Sequence, residues 1–347
     1  MVKEKKYAIW YSRLTKRSDG SWFLDSGLHN LLRDTDLEAC GIYDTDEPQN
    51  HYDIGQKGIL FDATCAKPDD DMSRWNCSDV YFAELPSFAE EAPEKPKMVT
   101  LGNERQLGLH ENLQVSPDGE VMAFLFIPYR DDADVRLCLG HIPSLNALDV
   151  FKDLIGREPR LPPGGVTFAG SSDSLIITTD DCGRATLQHL KLNSSEGPGT
   201  AHNESGVPEH YPLVLRLQSS EEPVTFFKNG SVAEFYPLKD GNWDKLLVSS
   251  SSFIENSLWQ IVDMKQAAEP ELVSSMSENG AKFGLKSSMV DEFWFEGADE
   301  ARVHSFMIKP SDFDSEKKYP WVLMPHGGPI ASWHDAWSTR VSEFLIY

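Results

Sequence analysis

Lys318-Tyr-Pro-Trp-Val-Leu-Met-Pro-His-Gly-Gly-Pro329 joins a short apolar run to a pair of glycines. The apolar run, residues 321–324, lies between two prolines and has the length of a fully buried strand. The glycines after it leave the backbone free to adopt conformations that other residues avoid, so that amide N–H groups can point outward together. Acyl-transfer enzymes use such amides to hold a developing oxyanion. The alternative interpretation is an ordinary Gly-Gly-Pro turn.

A helix pattern follows the glycine loop. Apolar residues recur with the spacing of one helix face at Trp333, Trp337, Val341, Phe344 and Leu345. Strand, glycine loop and amphipathic helix occur in this order in α/β-hydrolases, where the loop contributes to the oxyanion hole. We therefore predict that His326, Gly327 and Gly328 form an oxyanion-hole loop. The 347 residues contain no Gly-x-Ser-x-Gly elbow, so the sequence offers no nucleophile for a catalytic triad.

Composition indicates a globular protein and argues against several partners. Hydrophobic residues make up 40% of the chain and aromatic residues 11%, which is enough for a core. The formal net charge of −23 argues against nucleic acid or an anionic membrane as a partner, and no apolar run has the length of a membrane-spanning helix. The five cysteines form no C-x-x-C pair, and Asp69-Asp-Asp71 lacks the pattern of a calcium loop. We therefore predict no metal site and no cofactor.

The sequence features that indicate a cellular compartment disagree with each other. Four N-x-S/T sequons make Asn76, Asn193, Asn203 and Asn229 candidate glycosylation sites, which favours a secreted ancestry. The first residues, Met1-Val-Lys-Glu-Lys-Lys-Tyr7, lead into no apolar segment of the kind found in signal peptides. The sequence thus predicts no signal peptide in this chain.

The rest of the chain repeats one pattern of strands. Each of four units reads strand, tight turn, strand, polar loop, strand, and Ser116-Pro-Asp-Gly119 is the sharpest turn. Strands recurring at a long period indicate blades, and a β-propeller is built from four-stranded blades. We predict an incomplete propeller of about four to five blades over residues 1–286, with residues 7–12 as an outer strand. The alternative is an irregular β-sandwich.

Between and after these units the pattern changes. Residues 28–37 suggest a loose helix, residues 193–212 an exposed insertion, and residues 264–286 a connection. Residues 290–295 and 303–308 flank Gly297-Ala-Asp-Glu300 and read as a hairpin. We predict that residues 287–347 are the first strands and helix of an incomplete α/β-hydrolase domain. His304, His334 and Asp335 are interpreted as structural or surface residues.

Several runs, taken together and in order, match a known family. They are Val115-Ser-Pro-Asp-Gly119, Thr179-Asp-Asp-Cys-Gly-Arg184, Asn256-Ser-Leu-Trp259, Lys317-Lys-Tyr-Pro320, and His326-Gly-Gly-Pro329 with Trp337-Ser-Thr-Arg340. On these runs the chain resembles the prolyl oligopeptidase family of serine peptidases, and within it the fungal secreted dipeptidyl-peptidase V group.

The resemblance implies a propeller capping an α/β-hydrolase domain with a Ser-Asp-His triad, peptide substrates, and release of dipeptides from peptide N-termini. It also implies that Gly328 supplies the oxyanion-hole amide. The triad is absent from this sequence, so we expect a fragment, shortened at both ends, that is inactive as it stands. The alternative is a non-catalytic propeller module that binds peptides or protein partners.

Overall fold

The computed structural model of the chain describes residues 7–39, 51–64, 77–102, 107–129, 134–150, 164–169, 171–195, 214–219, 230–238, 244–263, 269–327 and 332–338. The chain divides into two compact units. Unit 1 comprises residues 1–175 and 190–219, and unit 2 comprises residues 176–189 and 220–347. Strands form nearly all the regular structure, and the described residues contain no α-helix.

Unit 1 begins with small strand pairs. They are β1 (Trp10–Tyr11) with β4 (His29–Asn30), and β2 (Leu14–Lys16) with β3 (Trp22–Leu24). A four-stranded antiparallel sheet follows, with its strands in sequence order. Its strands are β5 (Tyr52–Gly55), β6 (Gly58–Thr64), β7 (Ser78–Glu84) and β8 (Lys97–Met98).

The second sheet of unit 1 has five strands in the order β10-β11-β12-β13-β9. They are β9 (Thr100–Leu101), β10 (Gly108–Val115), β11 (Val121–Pro128), β12 (Arg136–His141) and β13 (Asn146–Asp149). A 3-10 turn at Ile142–Ser144 joins β12 to β13. Strand β9 pairs in parallel with β13, whereas the other neighbours are antiparallel.

The remaining two large sheets each have four strands in sequence order. The third sheet consists of β14 (Gly165–Phe168), β15 (Ser174–Asp180), β16 (Ala185–Ser195) and β17 (Val214–Ser219). The fourth, in unit 2, consists of β18 (Ser231–Pro237), β19 (Lys245–Ser251), β20 (Leu258–Asp263) and β21 (Glu271–Ser275). The prediction of a mainly β fold built from propeller-type sheets is confirmed.

Unit 2 continues into a hairpin. Strands β22 (Val290–Glu296) and β23 (Arg302–Ile308) pair along their whole length as a two-stranded sheet. Short 3-10 turns lie before and within it, at Ala281–Phe283, Ser287–Met289 and Ala298–Glu300. The hairpin predicted from the sequence is therefore present, with its turn where Gly297 was expected.

The turn between β10 and β11 shows how local sequence sets the fold. Ser116 Oγ donates a hydrogen bond to Asp118 Oδ1 and accepts one from the Val121 amide, at 2.6 and 2.8 Å. Gly119 has φ +73°, a left-handed conformation that glycine adopts without a steric penalty. The Ser-Pro-Asp-Gly run therefore forms the tight turn that the sequence predicts.

The core of unit 1 lies between neighbouring sheets. One buried cluster joins the first and second sheets and another joins the first sheet to the N-terminal segment. The members of the first cluster include Leu60, Phe82, Met122, Phe124 and Phe126. Successive side chains of a strand point to opposite faces, so Leu60 lies in the first cluster while its neighbours Ile59 and Phe61 lie in the second, and both faces of the first sheet are buried. Burial between stacked sheets is the packing that a blade repeat requires.

The fourth strand of each sheet was missed by the sequence interpretation. Strand β21 lies in residues 264–286, which were predicted to be a connection, and β17 (Val214–Ser219) follows the predicted insertion without having been recognised as a strand. The third strand of that sheet, β16, also extends to Ser195, into the predicted insertion. Most residues of β21 and both residues of β8 are exposed. Such edge strands carry little of the apolar alternation on which the interpretation depends.

Both predicted helices are wrong where the structure describes them. In residues 28–37 the chain forms the short strand β4 and then turns, with Asp34 at φ +58°. Residues 332–338 are extended or bent, and residues 339–347 lie outside the described part. An apolar periodicity stabilises a helix only where a surface accepts its apolar face over several turns. In residues 332–338 the side chains instead make hydrogen bonds with the sheets of unit 2.

Candidate functional site

The predicted oxyanion-hole loop lies on the surface of unit 2. His326 and Gly327 are exposed, and a Cβ at Gly327 would meet nothing within 4 Å. The Nδ1 atom of His326 lies 2.8 Å from the carbonyl oxygen of Gly327. Gly328, the expected amide donor, lies outside the described residues. The structure therefore places two of the three predicted residues together and leaves the geometry of the third undescribed.

The apolar run before this loop is not a buried strand. Residues 321–324 are extended but form no sheet, and Trp321, Val322 and Leu323 expose 79%, 76% and 72% of their surface. The prediction of a buried strand is wrong, because no strand of the described residues pairs with this segment. The β22–β23 hairpin is a sheet of its own, and Phe293, too, is exposed on it.

After the loop, residues 332–338 pack against the sheets of unit 2 through Asp335. This residue is only 4% exposed. Its carboxylate accepts hydrogen bonds from the amides of Gly230 and Phe253, at 2.9 and 3.0 Å, and from Arg184 Nε at 3.3 Å. Its own amide donates to the carbonyl oxygen of Gly183 at 2.8 Å. Asp335 thus joins the β15–β16 turn to the open end of the β18–β19 hairpin, where β18 begins and β19 ends.

Arg184 links Asp335 to the β22–β23 hairpin. Its Nη1 atom donates to Glu292 Oε2 at 2.6 Å, and Glu292 Oε1 lies 2.9 Å from His304 Nε2. Burial would lower the pKa of Arg184, but the hydrogen bond and charge of Glu292 outweigh it, so the pKa is raised. The His304 ring contacts Trp294 on the neighbouring strand, at 4.9 Å between centroids. Arg184 therefore remains charged between two carboxylates.

His334 forms a second connection to the β15–β16 turn. Its Nε2 atom makes a hydrogen bond with Asp180 Oδ2 and lies 3.0 Å from Ser332 Oγ. This hydrogen bond raises the pKa of His334, against an opposing effect of burial. Burial would raise the pKa of Asp180, but the hydrogen bond and charge of His334 lower it overall. The pair is thus held together most strongly when the imidazole is protonated and the carboxylate ionised.

A pocket of about 510 Å³ lies in unit 2 beside these residues. Its wall includes Ser250, Phe253, Glu255 and Asp291. Its volume is within the range of small-molecule sites in proteins. Glu255, 5% exposed, accepts hydrogen bonds from the hydroxyl and amide of Ser277, at 2.7 and 3.0 Å. Burial would raise the pKa of Glu255, but these and other donors lower it to about 2.

Three of the candidate glycosylation sites, Asn76, Asn203 and Asn229, lie outside the described residues, and so does the acidic run Asp69-Asp-Asp71. The fourth, Asn193, lies in β16 opposite Arg216 of β17.

The other sequence features fall partly within the described residues. Cys77 is disulfide-bonded, while Cys138 is a buried and Cys182 an exposed free thiol. The described residues contain no group of three or more metal-ligating side chains. Within the same ranges, no helix has the length and apolarity needed to cross a membrane.

The sequence interpretation missed the role of residues 332–338. Both residues were expected at the surface, but Asp335 is buried, and His334 is half-buried and binds Asp180. The two side chains have different partners, namely Asp180 for His334 and the amides of Gly230 and Phe253 for Asp335. A signal was present, because Thr179-Asp-Asp-Cys-Gly-Arg184 contributes Asp180, Gly183 and Arg184 to these contacts. Its pairing with a segment far along the chain could not be inferred from one sequence.

Comparisons with known proteins give consistent results. No family model matches the chain. Dipeptidyl-peptidase 5 of Trichophyton schoenleinii is 26% identical over 339 residues, which are 96% of this chain and 42% of that protein. Dipeptidyl-peptidase 5 of Aspergillus fumigatus is 28% identical over 346 residues, 95% of this chain and 42% of that protein. The chain therefore spans less than half the length of these curated relatives.

A shorter match is closer in sequence. Dipeptidyl-peptidase 5 of Schizosaccharomyces pombe is 37% identical over 95 residues, 27% of this chain and 13% of that protein.

Among solved structures, a putative dipeptidyl aminopeptidase IV from Bacteroides ovatus is similar with a TM-score of 0.42 and 12% identity, covering 99% of this chain and 58% of that chain. The sequence similarity over nearly the whole chain confirms the resemblance described above to the fungal dipeptidyl-peptidase 5 proteins, of which this chain is a homologue.

Proposed function

We propose that this chain supplies the propeller and the oxyanion-hole segment of a serine-type dipeptidyl-peptidase, and that it does not hydrolyse peptides by itself. The observation that carries the proposal is His326-Gly-Gly-Pro329, which follows four propeller-type sheets and a hairpin in a chain homologous to dipeptidyl-peptidase 5. The domain division that we propose is a propeller at residues 1–286 and the first part of an α/β-hydrolase domain at residues 287–347.

The chemistry assigned to the loop is electrostatic. In acyl transfer, backbone amides aimed at the carbonyl oxygen stabilise the charge that develops in the transition state. The Gly328 amide is our candidate for one such donor, and the second follows the nucleophile in this class of enzyme. Loss of a triad's serine or histidine removes nearly all of its contribution to the rate. A chain with the loop but without Gly-x-Ser-x-Gly is therefore expected to be inert.

The peptide substrates that we propose for the intact enzyme are those that the relatives' name describes, namely peptides from which dipeptides are released. Secretion is part of the same proposal. It is supported by the sequons and by the disulfide bond of Cys77, since disulfides persist mainly in oxidising compartments.

The proposal is tested by reading the coding sequence beyond the codon for Tyr347 in all frames and expressing the longest product. We expect a Gly-x-Ser-x-Gly elbow followed by Asp and His, and hydrolysis of dipeptidyl chromogenic substrates by the longer product. Its control is the same product with the elbow serine changed to alanine, which should lose at least a thousandfold in activity. A stop codon with no elbow in any frame would contradict the proposal.

A second candidate function is that of a non-catalytic binding module. The pocket in unit 2 could hold a ligand, and binding, unlike hydrolysis, requires no nucleophile. If the chain acts in this way, short peptides should bind to the 347-residue chain in isothermal titration calorimetry. Ser250→Trp, which fills the pocket, should abolish the heat of binding. Absence of binding by any peptide at millimolar concentration would exclude this candidate.

A further inference from the structure

We infer that Trp333 and Asp335 are positioning residues for the candidate oxyanion-hole loop, and that they fix it to the propeller-type sheets of unit 2. The inference rests on the proposed function for the role of the loop itself. The connection from the sheets to residues 321–327 rests only on the contacts of Trp333 and Asp335.

The first step of the connection lies between Asp335 and the sheets. The carboxylate is buried and accepts from the amides of Gly230 and Phe253, which lie just before β18 and after β19. Departure of a buried carboxylate that accepts backbone amides leaves those buried donors without their acceptor, which costs free energy. Residues 332–338 are therefore held firmly although they contain no regular structure.

The β15–β16 turn is shaped to receive this segment. Gly183 has φ +71°, and a Cβ at this position would lie 2.7 Å from the carbonyl oxygen of Trp333. Real Cβ atoms essentially never approach an oxygen so closely, so only glycine fits against this backbone. The close approach fixes Trp333 directly beside the sheet, next to the His334–Asp180 hydrogen bond.

The second step leads from Trp333 to the loop. Its indole Nε1 donates a hydrogen bond to the carbonyl oxygen of Met324 at 2.8 Å, and Met324 is separated from His326 only by Pro325. Within the described ranges, this is the hydrogen bond that ties residues 321–327 to another segment. Because the apolar side chains of this run are exposed, they contribute little to holding it. The orientation of the loop is thus set through Trp333.

The test measures the distance from the loop to the fourth sheet by double electron–electron resonance. Spin labels are attached at Gly327→Cys, where a side chain meets open space, and at Glu271→Cys on the exposed edge strand β21. Cys182 is replaced by asparagine, which tolerates its left-handed φ of +51°. The chain with Gly327→Cys as its only added cysteine gives the background.

We expect one narrow distance distribution in the labelled chain. Trp333→Phe keeps an aromatic ring but loses the indole N–H donor. It should at least double the width of the distance distribution without changing the midpoint of urea unfolding. Asp335→Ala should broaden the distribution as much, and Asp335→Asn should restore part of the order because its Oδ1 can still accept. Exposed Asp312→Ala is the matched control and should change nothing.

The glycine contact has a control of its own. Gly183→Ala should broaden the distribution, whereas Gly284→Ala should not, because Gly284 has nearly the same φ of +69° but no atom within 4 Å of a Cβ. Equal widths in the labelled chain, Trp333→Phe and Asp335→Ala would overturn the inference. These readouts do not require catalysis, so a missing elbow in the coding sequence would refute the proposed function and leave the connection standing.

Discussion

Glu255→Ala is expected to lower the free energy of unfolding by about 3 to 5 kcal/mol, the largest effect of any single substitution that we consider. The carboxylate accepts from the amides of Ser277 and Asn279, at 3.0 and 2.8 Å, and from the hydroxyls of Ser275 and Ser277. Its removal takes the carboxylate acceptor from the amides of Ser277 and Asn279 in a buried site, whereas the Ser277 hydroxyl can still donate to the carbonyl oxygen of Ile254 at 3.1 Å. Urea denaturation followed by tryptophan fluorescence measures the change, with exposed Glu269→Ala as the control, expected within about 0.5 kcal/mol of the parent.

Glu255 also makes the free energy of unfolding depend on pH in the acidic range. The pKa of Glu255 is about 2 in the folded chain and about 4.5 in the unfolded one, so its ionised form stabilises the fold. This contribution is complete above pH 4.5 and disappears as the pH falls toward 2, a loss of about 3 kcal/mol. Glu255→Gln, which cannot ionise, should flatten this part of the stability curve. A parent chain and a glutamine variant with parallel curves between pH 5 and 2 would show that the carboxylate is not ionised in the fold.

Asp335→Ala is expected to lower the free energy of unfolding by about 3 kcal/mol. It removes the acceptor for two buried amides and leaves Arg184 with one carboxylate partner in place of two. Asp335→Asn keeps one acceptor oxygen and should cost about half as much.

The contribution of the ion pair can be separated from that of the amides by a double-mutant cycle with Arg184→Met. We expect a coupling energy of about 1 kcal/mol between Arg184 and Asp335, because Glu292 continues to compensate the guanidinium. A cost for Asp335→Ala no larger than that of Asp312→Ala would mean that residues 332–338 do not hold this position in solution.

The blade pattern could be predicted because its information is local. Ser116-Pro-Asp-Gly119 contains both the side chain that closes the turn and the glycine that takes the left-handed conformation. Buried strands such as β6 and β11 show continuous apolar runs that stand out from their surroundings. Edge strands such as β21 carry no such pattern, because one side of an edge strand meets solvent instead of another strand.

The site could be predicted only in part, because its decisive contacts are between distant segments. The His326-Gly-Gly-Pro329 run identifies the loop from its own residues. The burial of Asp335 depends on amides at Gly230 and Phe253, and nothing in the neighbouring sequence indicates them. The apolar periodicity of Trp333 and Trp337 suggested a helix, but Trp333 Nε1 binds Met324 and Trp337 contacts Phe283. Tertiary contacts thus override the local preference.

The measurement that tests the central claim most directly is labelling of the purified 347-residue chain with a fluorophosphonate probe, which reacts with activated serines. Serine hydroxyls need an adjacent base to become nucleophilic, and this chain has no elbow to present one. We predict no labelling above that of the heat-denatured chain, under conditions in which a dipeptidyl-peptidase 5 relative is labelled completely. Stoichiometric labelling of the folded chain would contradict the account, since it would show that a complete serine nucleophile exists within these residues.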